Sequence, residues 1–159
     1  MKNDFLILHE TSRYHHWQGQ GNLSIKSFHR GHAHYLVEHS PIRVDAHCYL
    51  VLNEGQEYTV TVDATMPVES FCLFFPSGFA ERVHDACNRP AAALLEDPVG
   101  VSVRSLSFYE HTYPHDRLLS PLLAQLRITH RHSVLAEPWL EEQMHCVMER
   151  LLLVHGHSQ

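Results

Sequence analysis

The chain has 159 residues, of which 44% are hydrophobic and 19% are charged. This composition is typical of a soluble globular protein, and the length allows one domain with a sizeable core. The net charge is −6 with 12 Lys and Arg residues, and the sequence contains no basic cluster, so a nucleic-acid-binding surface is not predicted. The 16 His residues are unusual in number. Most are expected to be solvated, and their titration near pH ~6.5 moves the net charge towards positive.

The cysteines and the N-terminus indicate a reducing compartment. Cys48, Cys72, Cys87 and Cys146 form no CxxC pair, which favours reduced, partly buried thiols over a disulfide framework. Asp4 interrupts the first apolar run, so a signal peptide is not predicted, and no apolar segment reaches the length of a membrane span. The expected location is the cytoplasm.

The first third of the chain is predicted to contain short strands separated by polar segments. Phe5–His9 is either a short first strand or an arm, and the polar and aromatic stretch Thr11–Asn22 is predicted to be a loop. Leu23–His29 and Gly31–Glu38 alternate in polarity as strands do. His39–Pro41 is the turn that ends the second of these strands.

The stretch Asp45–Val83 predicts three consecutive strands followed by the start of a helix. The first joint, Asn53–Gln56, contains Asn and Gly, which tolerate positive φ. Tyr58–Asp63 alternates with period two, and Ala64–Pro67 is expected to form the second joint. Val68–Phe75 is apolar on both faces, so it is expected to be covered on both sides.

After this stretch, the spacing of the hydrophobic residues changes. Phe79–Cys87 is predicted to be a short helix, within residues 78–87, and Val101–Tyr109 returns to period two as a last strand. Ser120 followed by Pro, and Glu137 followed by Pro, are start signals for two further helices. The second of these is expected to run to about His155. The fold class is therefore predicted to be mainly β with C-terminal helices.

The last helix carries an apolar seam with 4-3-4-3 spacing, which is typical of a short heptad pattern. A second stripe, Met148 and Leu152, lies beside it. One stripe is expected to pack on the sheet or the preceding helix, and the other on a second subunit; alternatively, both stripes form intramolecular core. The seam, which is the predicted interface of a homodimer, consists of Leu140, Met144, Val147, Leu151 and Val154.

Four segments match one protein family in the order in which they occur. They are YLVLNEGQEYTVTVD (Tyr49–Asp63), PVESFCLFF followed by GFAERV (Pro67–Val83), YPHDRLLSPLLAQL (Tyr113–Leu126) and WLEEQMHCVMERLL (Trp139–Leu152). In these segments, which span most of residues 31–155, the chain resembles the N-terminal regulatory domain of AraC-type transcription regulators.

The resemblance implies a cupin-like double-stranded β-barrel, or jelly roll, that senses a small effector. The barrel is assigned to residues 1–112 and a helical dimerisation segment to residues 113–159. Complete members carry a further domain with two helix-turn-helix units that binds DNA. This sequence ends at Gln159, so the chain is interpreted either as an excised domain or as a stand-alone relative. Direct DNA binding is not assigned to it.

Cupins also include metal enzymes, which gives an alternative function. His32, His34 and Glu38 have the spacing of the first half of the cupin metal motif, and residues 32, 34 and 38 of an extended strand share a face. Tyr58 stands where the motif has its third His. A metal-dependent dioxygenase or isomerase therefore remains the alternative. The leading prediction is a protein that is not an enzyme and has no cofactor, since neither a nucleophile elbow nor a glycine-rich phosphate loop is present.

The remaining prediction is a small-molecule pocket in the barrel. For the aromatic candidates, plain core packing is an equally good interpretation. The two His are favoured for a pocket or rim position, because polar residues on an inward face need partners. The candidate ligand-binding residues are Trp17, His32, His34, Tyr49, Tyr58 and Phe74.

Overall fold

The computed structural model describes residues 4–88, 105–132, 137–155 and 157–158. Within these residues, none of the helices is long and apolar enough to cross a membrane. The elements in chain order are β1 (Leu6–Gln20), β2 (Ser24–Arg30), β3 (His32–Val37), β4 (Ser40–Asp45), β5 (Cys48–Leu52), β6 (Glu57–Phe74), α1 (Phe79–Asn88), β7 (Leu106–Ser107), β8 (Thr112–Pro114), α2 (Ser120–His132), α3 (Glu137–His155) and β9 (His157–Ser158).

The chain divides into two compact units that are not continuous in sequence. The first comprises Met1–Ser77 and Tyr109–Arg117, and the second comprises Gly78–Phe108 and Leu118–Gln159. The first unit contains β1–β6 and β8. The second contains the three helices and the short pair formed by β7 and β9. The resemblance implied a domain boundary between residues 112 and 113, and this boundary stays a prediction.

The long strand β6 organises the sheet of the first unit. β1 pairs with it along its length, from Gln20 opposite Glu57 to Leu6 opposite Phe74. On its other side, β3 pairs with the first half of β6 and β2 with the second half, and all these pairings are antiparallel. The strand order is β4-β3-β6-β2-β5-β8. Because β4 also lies against β2 and β5, the sheet curls into a barrel-like form, and the predicted fold class is confirmed.

The predicted joint at Ala64–Pro67 is wrong, since β6 is continuous through it. The register with β1 changes here: Ser12 is opposite Val68, and Tyr14 is opposite Asp63. One residue of β1 therefore faces the four residues of the predicted joint. Pro67 lacks a donor for the ladder, which suits such an irregularity. The sequence signal marked a local break in pairing rather than a reversal of the chain.

The predicted loop Thr11–Asn22 is also wrong, because β1 continues to Gln20. Most β1 side chains between Thr11 and Gln20 are exposed, so the polarity alternation on which strand prediction depends is missing. Backbone pairing with β6 forms this strand instead. Among the described residues, β6 is the only strand that pairs with β1.

The core of the barrel is formed by side chains from both halves of the sheet. As predicted, the run Val68–Phe75 is largely buried on both faces. On β3, the side chains of Ala33, Tyr35 and Val37 point to the core, while the intervening residues are more exposed. The rest of the core cluster consists of Phe28, Val44, Leu50, Leu52, Tyr58, Val60, Val62 and Val68.

The helices begin where their start signals predicted. α1 begins at Phe79, α2 at Ser120 and α3 at Glu137, and α3 ends at His155. Of the predicted strand over residues 101–109, residues 101–104 lie outside the described residues, and residues 106–107 form β7. The stop predicted at residue 156 also lies outside them.

The middle of the α3 seam is buried within the single chain. Met144, Val147 and Leu151 have 0% of their surface exposed, as does Met148 in the neighbouring stripe. α3 contacts both α1 and α2 in the second unit. The interpretation of both stripes as intramolecular core accounts for these residues. A dimer interface through them stays a prediction, and it would require α3 to leave its present packing.

Candidate ligand-binding site

The first unit contains a cavity of about 740 Å³. This volume lies within the range of small-molecule sites. The wall is formed by side chains of β1, β2, β3 and β6 and is mainly aromatic and aliphatic. The residues that give it this character are Leu6, Leu8, Trp17, Phe28, Tyr35, Tyr58, Val60, Val62, Val68 and Phe74.

A lysine on β2 is a buried charged residue of this wall, which also includes the exposed residues Asp4 and Glu10. Lys26 is 2% exposed, and its Nζ donates a hydrogen bond to Tyr58 Oη at 2.8 Å. Nζ also lies 4.0 Å from the ring centroid of Phe74 and 4.8 Å from that of Tyr58, within cation–π range. Within the part of the chain that the structure describes, no carboxylate forms an ion pair with Lys26.

Burial changes the acidity of this ammonium group. Desolvation lowers the pKa of Lys26 to about 8, and Cys72, which lies directly opposite on β6, acts in the raising direction. Burial raises the pKa of the Cys72 thiol, so that side chain favours its neutral form. The aromatic rings and one hydroxyl therefore replace the carboxylate that normally accompanies a buried lysine.

Lys26 was not among the predicted ligand-binding residues, although its position inside a strand was a signal. Ile25, Lys26 and Ser27 are all buried in the middle of β2, and this strand was predicted from its alternation. A single lysine inside a strand that is covered on both faces requires an explanation. Lys26 shares its face with Phe28, two residues later, and both line the cavity.

Three of the six predicted ligand-binding residues meet at the cavity. Trp17, Tyr58 and Phe74 all line it, and the ring centroids of Trp17 and Tyr58 are 5.0 Å apart. Trp17 is 39% exposed, which places it at the edge of the wall rather than in the core. Ligand binding by these three residues stays a prediction.

His32 and His34 lie on the outer face of β3, so the prediction that they face into the barrel is wrong. Ala33 and Tyr35 take the inward positions of this strand. A shift of one residue in phase exchanges the two faces of a strand, and the His-x-His spacing had suggested the opposite phase. The two imidazole centroids are 5.1 Å apart. Burial, followed by Arg43, lowers the pKa of His32.

The alternative metal site is not assembled in the barrel. Glu38 is exposed, with φ 48°, in the turn between β3 and β4. Among the described residues, no group of three or more His, Cys, Asp or Glu side chains is arranged to hold a metal ion. The residues His32, His34 and Glu38 therefore do not form an inward-facing cupin metal centre.

Tyr49 faces away from the cavity, so its predicted barrel-facing position is also wrong. Leu50 and Leu52 occupy the core face of β5. Tyr49 Oη donates to Asp116 Oδ2 at 3.0 Å, and its ring contacts those of Tyr113 and His115. Burial and Asp116 raise the pKa of Tyr49. This contact fixes residues 109–117 to β5.

A second pocket, of about 800 Å³, lies beside the first. Its lining includes Gln18, Leu36, Glu38 and Gln56, and Tyr58 lines both pockets. Tyr58 is therefore shared by the cavity that contains Lys26 and a more polar pocket.

No family model and no curated protein sequence matches the chain. Solved structures do match in fold. The AraC-like transcriptional activator CuxR has a TM-score of 0.59 and 13% identity, over 95% of this chain and 51% of that chain. ToxT of Vibrio cholerae strain SCE256 with a bound unsaturated fatty acid has a TM-score of 0.57 and 10% identity, over 98% and 57%. ToxT of Vibrio cholerae O395 bound to (E)-4-(8-methylnaphthalen-1-yl)but-3-enoic acid has a TM-score of 0.55 and 9% identity, over 95% and 57%.

These similarities concern the fold. The chain spans little more than half the length of the regulator structures that it matches. Each match covers nearly all of this chain, including its strands and its helices. The chain therefore has the fold of the regulatory domain of AraC-type regulators, as its sequence resemblance implied.

Proposed function

We propose that this chain is the ligand-sensing domain of an AraC-type transcription regulator, and that its ligand is an apolar molecule carrying a carboxylate. Lys26 is the observation that carries the proposal. Its ammonium group lies in a mainly apolar cavity, and no carboxylate of the described residues pairs with it. A ligand carboxylate supplies the missing partner.

The energetics favour such a ligand. An ammonium group that is buried without a counter-ion is costly, and a carboxylate brought against it recovers part of that cost. With its pKa at about 8, Lys26 is mostly protonated at neutral pH. Placing an apolar body against the aromatic wall contributes about 25 cal/mol for each Å² of apolar surface removed from water.

The similar structures agree with this ligand class. Both ligands named for ToxT, an unsaturated fatty acid and a naphthyl-butenoic acid, combine a carboxyl group with an apolar body. The same combination fits the cavity beside Lys26, Trp17 and Phe74. The agreement supports a shared ligand class and leaves the particular molecule open.

In this proposal, ligand binding is transmitted through the C-terminal helices. A ligand shifts the arrangement of these helices only when its affinity differs between two arrangements. We propose a homodimer in the cytoplasm, with Leu140 and Val154 of the predicted interface, both half-buried in the single chain, as its first contacts. The proposal assigns DNA contact to a separate domain and no enzymatic reaction to the barrel.

Titration calorimetry with a matched pair of ligands tests the ligand class. Decanoate is expected to bind at least 10-fold more tightly than decanol, because a hydrogen bond to a charged group contributes about 1.5–3 kcal/mol. Lys26→Met is expected to abolish this preference while decanol binding remains. Exposed Arg13 provides the control: Arg13→Met is expected to leave the preference unchanged. Equal affinity of the wild type for both ligands would contradict the proposal.

A further inference from the structure

We propose that the same cavity captures aldehydes with an apolar body, through a reversible imine between the carbonyl carbon and Lys26 Nζ. The inference rests on the cavity being the ligand site, as proposed above, but it does not require that a carboxylate binds there. It adds a covalent mode of ligand recognition to a non-covalent one.

The geometry places an amine where a carbonyl ligand would lie. Lys26 projects from β2 into the cavity, and its side chain is 2% exposed. Nζ is held by Tyr58 Oη at 2.8 Å and lies over the ring of Phe74 at 4.0 Å. An apolar chain on the aromatic wall would direct its polar end towards Nζ. The apolar wall also limits the water that hydrolyses an imine.

The charge state supports nucleophilic attack. With its pKa lowered to about 8, about half of the Lys26 amines carry a free lone pair at pH 8, on the order of a hundredfold more than for an exposed lysine. Besides Lys26, the titratable groups that line the cavity are Tyr35 on β3, Tyr58 and Cys72 on β6, Glu10 and His15 on β1, and Asp4 before β1. Burial raises the pKa of the two tyrosines and of the thiol, which favours their neutral forms.

The step is a condensation without a change of oxidation state. The Nζ lone pair attacks the carbonyl carbon, and the π electrons move to the oxygen, which takes a proton to form a carbinolamine. Tyr58 Oη lies within reach to give this proton and to accept one from nitrogen. After a second protonation of the oxygen, the nitrogen lone pair expels water and leaves an iminium ion, which releases a proton to give the imine. One aldehyde and one amine give one imine and one water molecule.

The lysine content of the chain makes the test specific. The sequence contains two lysines, Lys2 and Lys26, so Lys2→Arg leaves Lys26 as the single lysine. The Lys2→Arg protein is incubated with decanal and sodium cyanoborohydride at pH 8, and adducts are located by intact mass and peptide mapping. The saturated aldehyde avoids conjugate addition to Cys72. The expected result is a stable adduct at Lys26, besides the one at the N-terminal amine, formed at least 10-fold faster than on Nα-acetyl-lysine amide.

Two variants and one competitor complete the experiment. Lys26→Arg and Lys26→Met, each in the Lys2→Arg background, are expected to show modification of the N-terminal amine alone, and either one that folds suffices. Decanoate is expected to slow the reaction at Lys26. An unmodified Lys26, or a rate no greater than that of the free amino acid derivative, overturns the aldehyde proposal. If decanoate still binds in that case, the proposed function stands; if neither molecule binds, both proposals fall.

Discussion

Two buried charged side chains in the barrel differ in how the fold accommodates them. Glu69 on β6 is 3% exposed and pairs with His9 on β1, with Oε2 and Nε2 2.7 Å apart. Lys26 on β2 is equally buried but contacts a hydroxyl and two aromatic rings. The His9–Glu69 pair is complete and joins two strands. These contacts of Lys26 offset part of the cost of its burial. Within the described residues, however, no carboxylate forms an ion pair with it.

The partners of the two residues indicate which buried charge is structural and which is available to a ligand. Removing one member of a buried pair leaves the other uncompensated, whereas removing a charge that has no counter-ion relieves a cost. Burial alone does not distinguish the two residues. Their partners do.

The largest effect is expected for the paired residue. Glu69→Ala is expected to lower the free energy of unfolding by about 3 kcal/mol, because it removes a buried hydrogen bond between a carboxylate and the His9 imidazole. Urea denaturation followed by circular dichroism measures the change. Glu57→Ala, an exposed glutamate on the same strand, is expected to stay within about 0.5 kcal/mol of the wild type. Equal losses for the two variants would refute a structural role for the pair.

The next effect is the contribution of Lys26 to the pH dependence of stability. The unfolded chain keeps this lysine protonated up to about its ordinary pKa of 10.5, whereas the folded chain loses the proton near pH 8. The unfolded state therefore binds more protons between these values, and the contribution of Lys26 to stability rises with pH. Relative to Lys26→Met, the wild type is expected to gain about 3 kcal/mol between pH 8 and 10.5, at 1.36 kcal/mol per pKa unit.

Subtracting the variant removes the contributions of other groups to this pH dependence. Burial raises the pKa of Tyr35, Tyr58 and Cys72, so these groups lower stability at high pH in both proteins. Urea denaturation of both proteins at several pH values gives the difference. A difference that does not change with pH would show that Lys26 is not desolvated in the folded state.

The smallest effect concerns the hydroxyl beside Lys26. Tyr58→Phe keeps the ring that contacts Trp17 and removes the acceptor of the Lys26 hydrogen bond. Stability at pH 7 is expected to fall by about 1 kcal/mol, as for the loss of one hydrogen bond. Tyr109→Phe, at an exposed tyrosine of the same unit, is the control. A Tyr58→Phe protein as stable as the wild type would mean that the rings alone accommodate the ammonium.

The sequence predicted those features that depend on short, regular patterns. Val60 and Val62 follow period two and reach the core, and Ser120 and Glu137 begin helices as their Pro neighbours indicated. The part of β1 from Thr11 to Gln20 was predicted to be a loop, because an edge strand with exposed side chains has no alternation to detect. Its partner β6 is distant in sequence, and no local pattern encodes that pairing.

The site was harder to predict than the fold. The phase of β3 was available from Ala33, Tyr35 and Val37, which are the more apolar set, but the His-x-His spacing suggested the other phase. Tyr49 was predicted to face into the barrel, although Leu50 and Leu52 occupy the inner face of β5. Predicting Lys26 as a site residue requires a search for charged residues inside strands that are buried on both faces.

The pairing of β1 with β6 also determines the order in which the barrel can form. β3 and β4 are adjacent in sequence, so their hairpin can form early. The pairing of Leu6 with Phe74 joins residues that are distant in sequence and is expected to form later. Closing such distant contacts costs chain entropy before they contribute stability, so barrels of this topology fold slowly. Before β1 docks, the β6 edge and the cavity face are expected to be open to other chains, so docking of the first strand is expected to reduce misassociation.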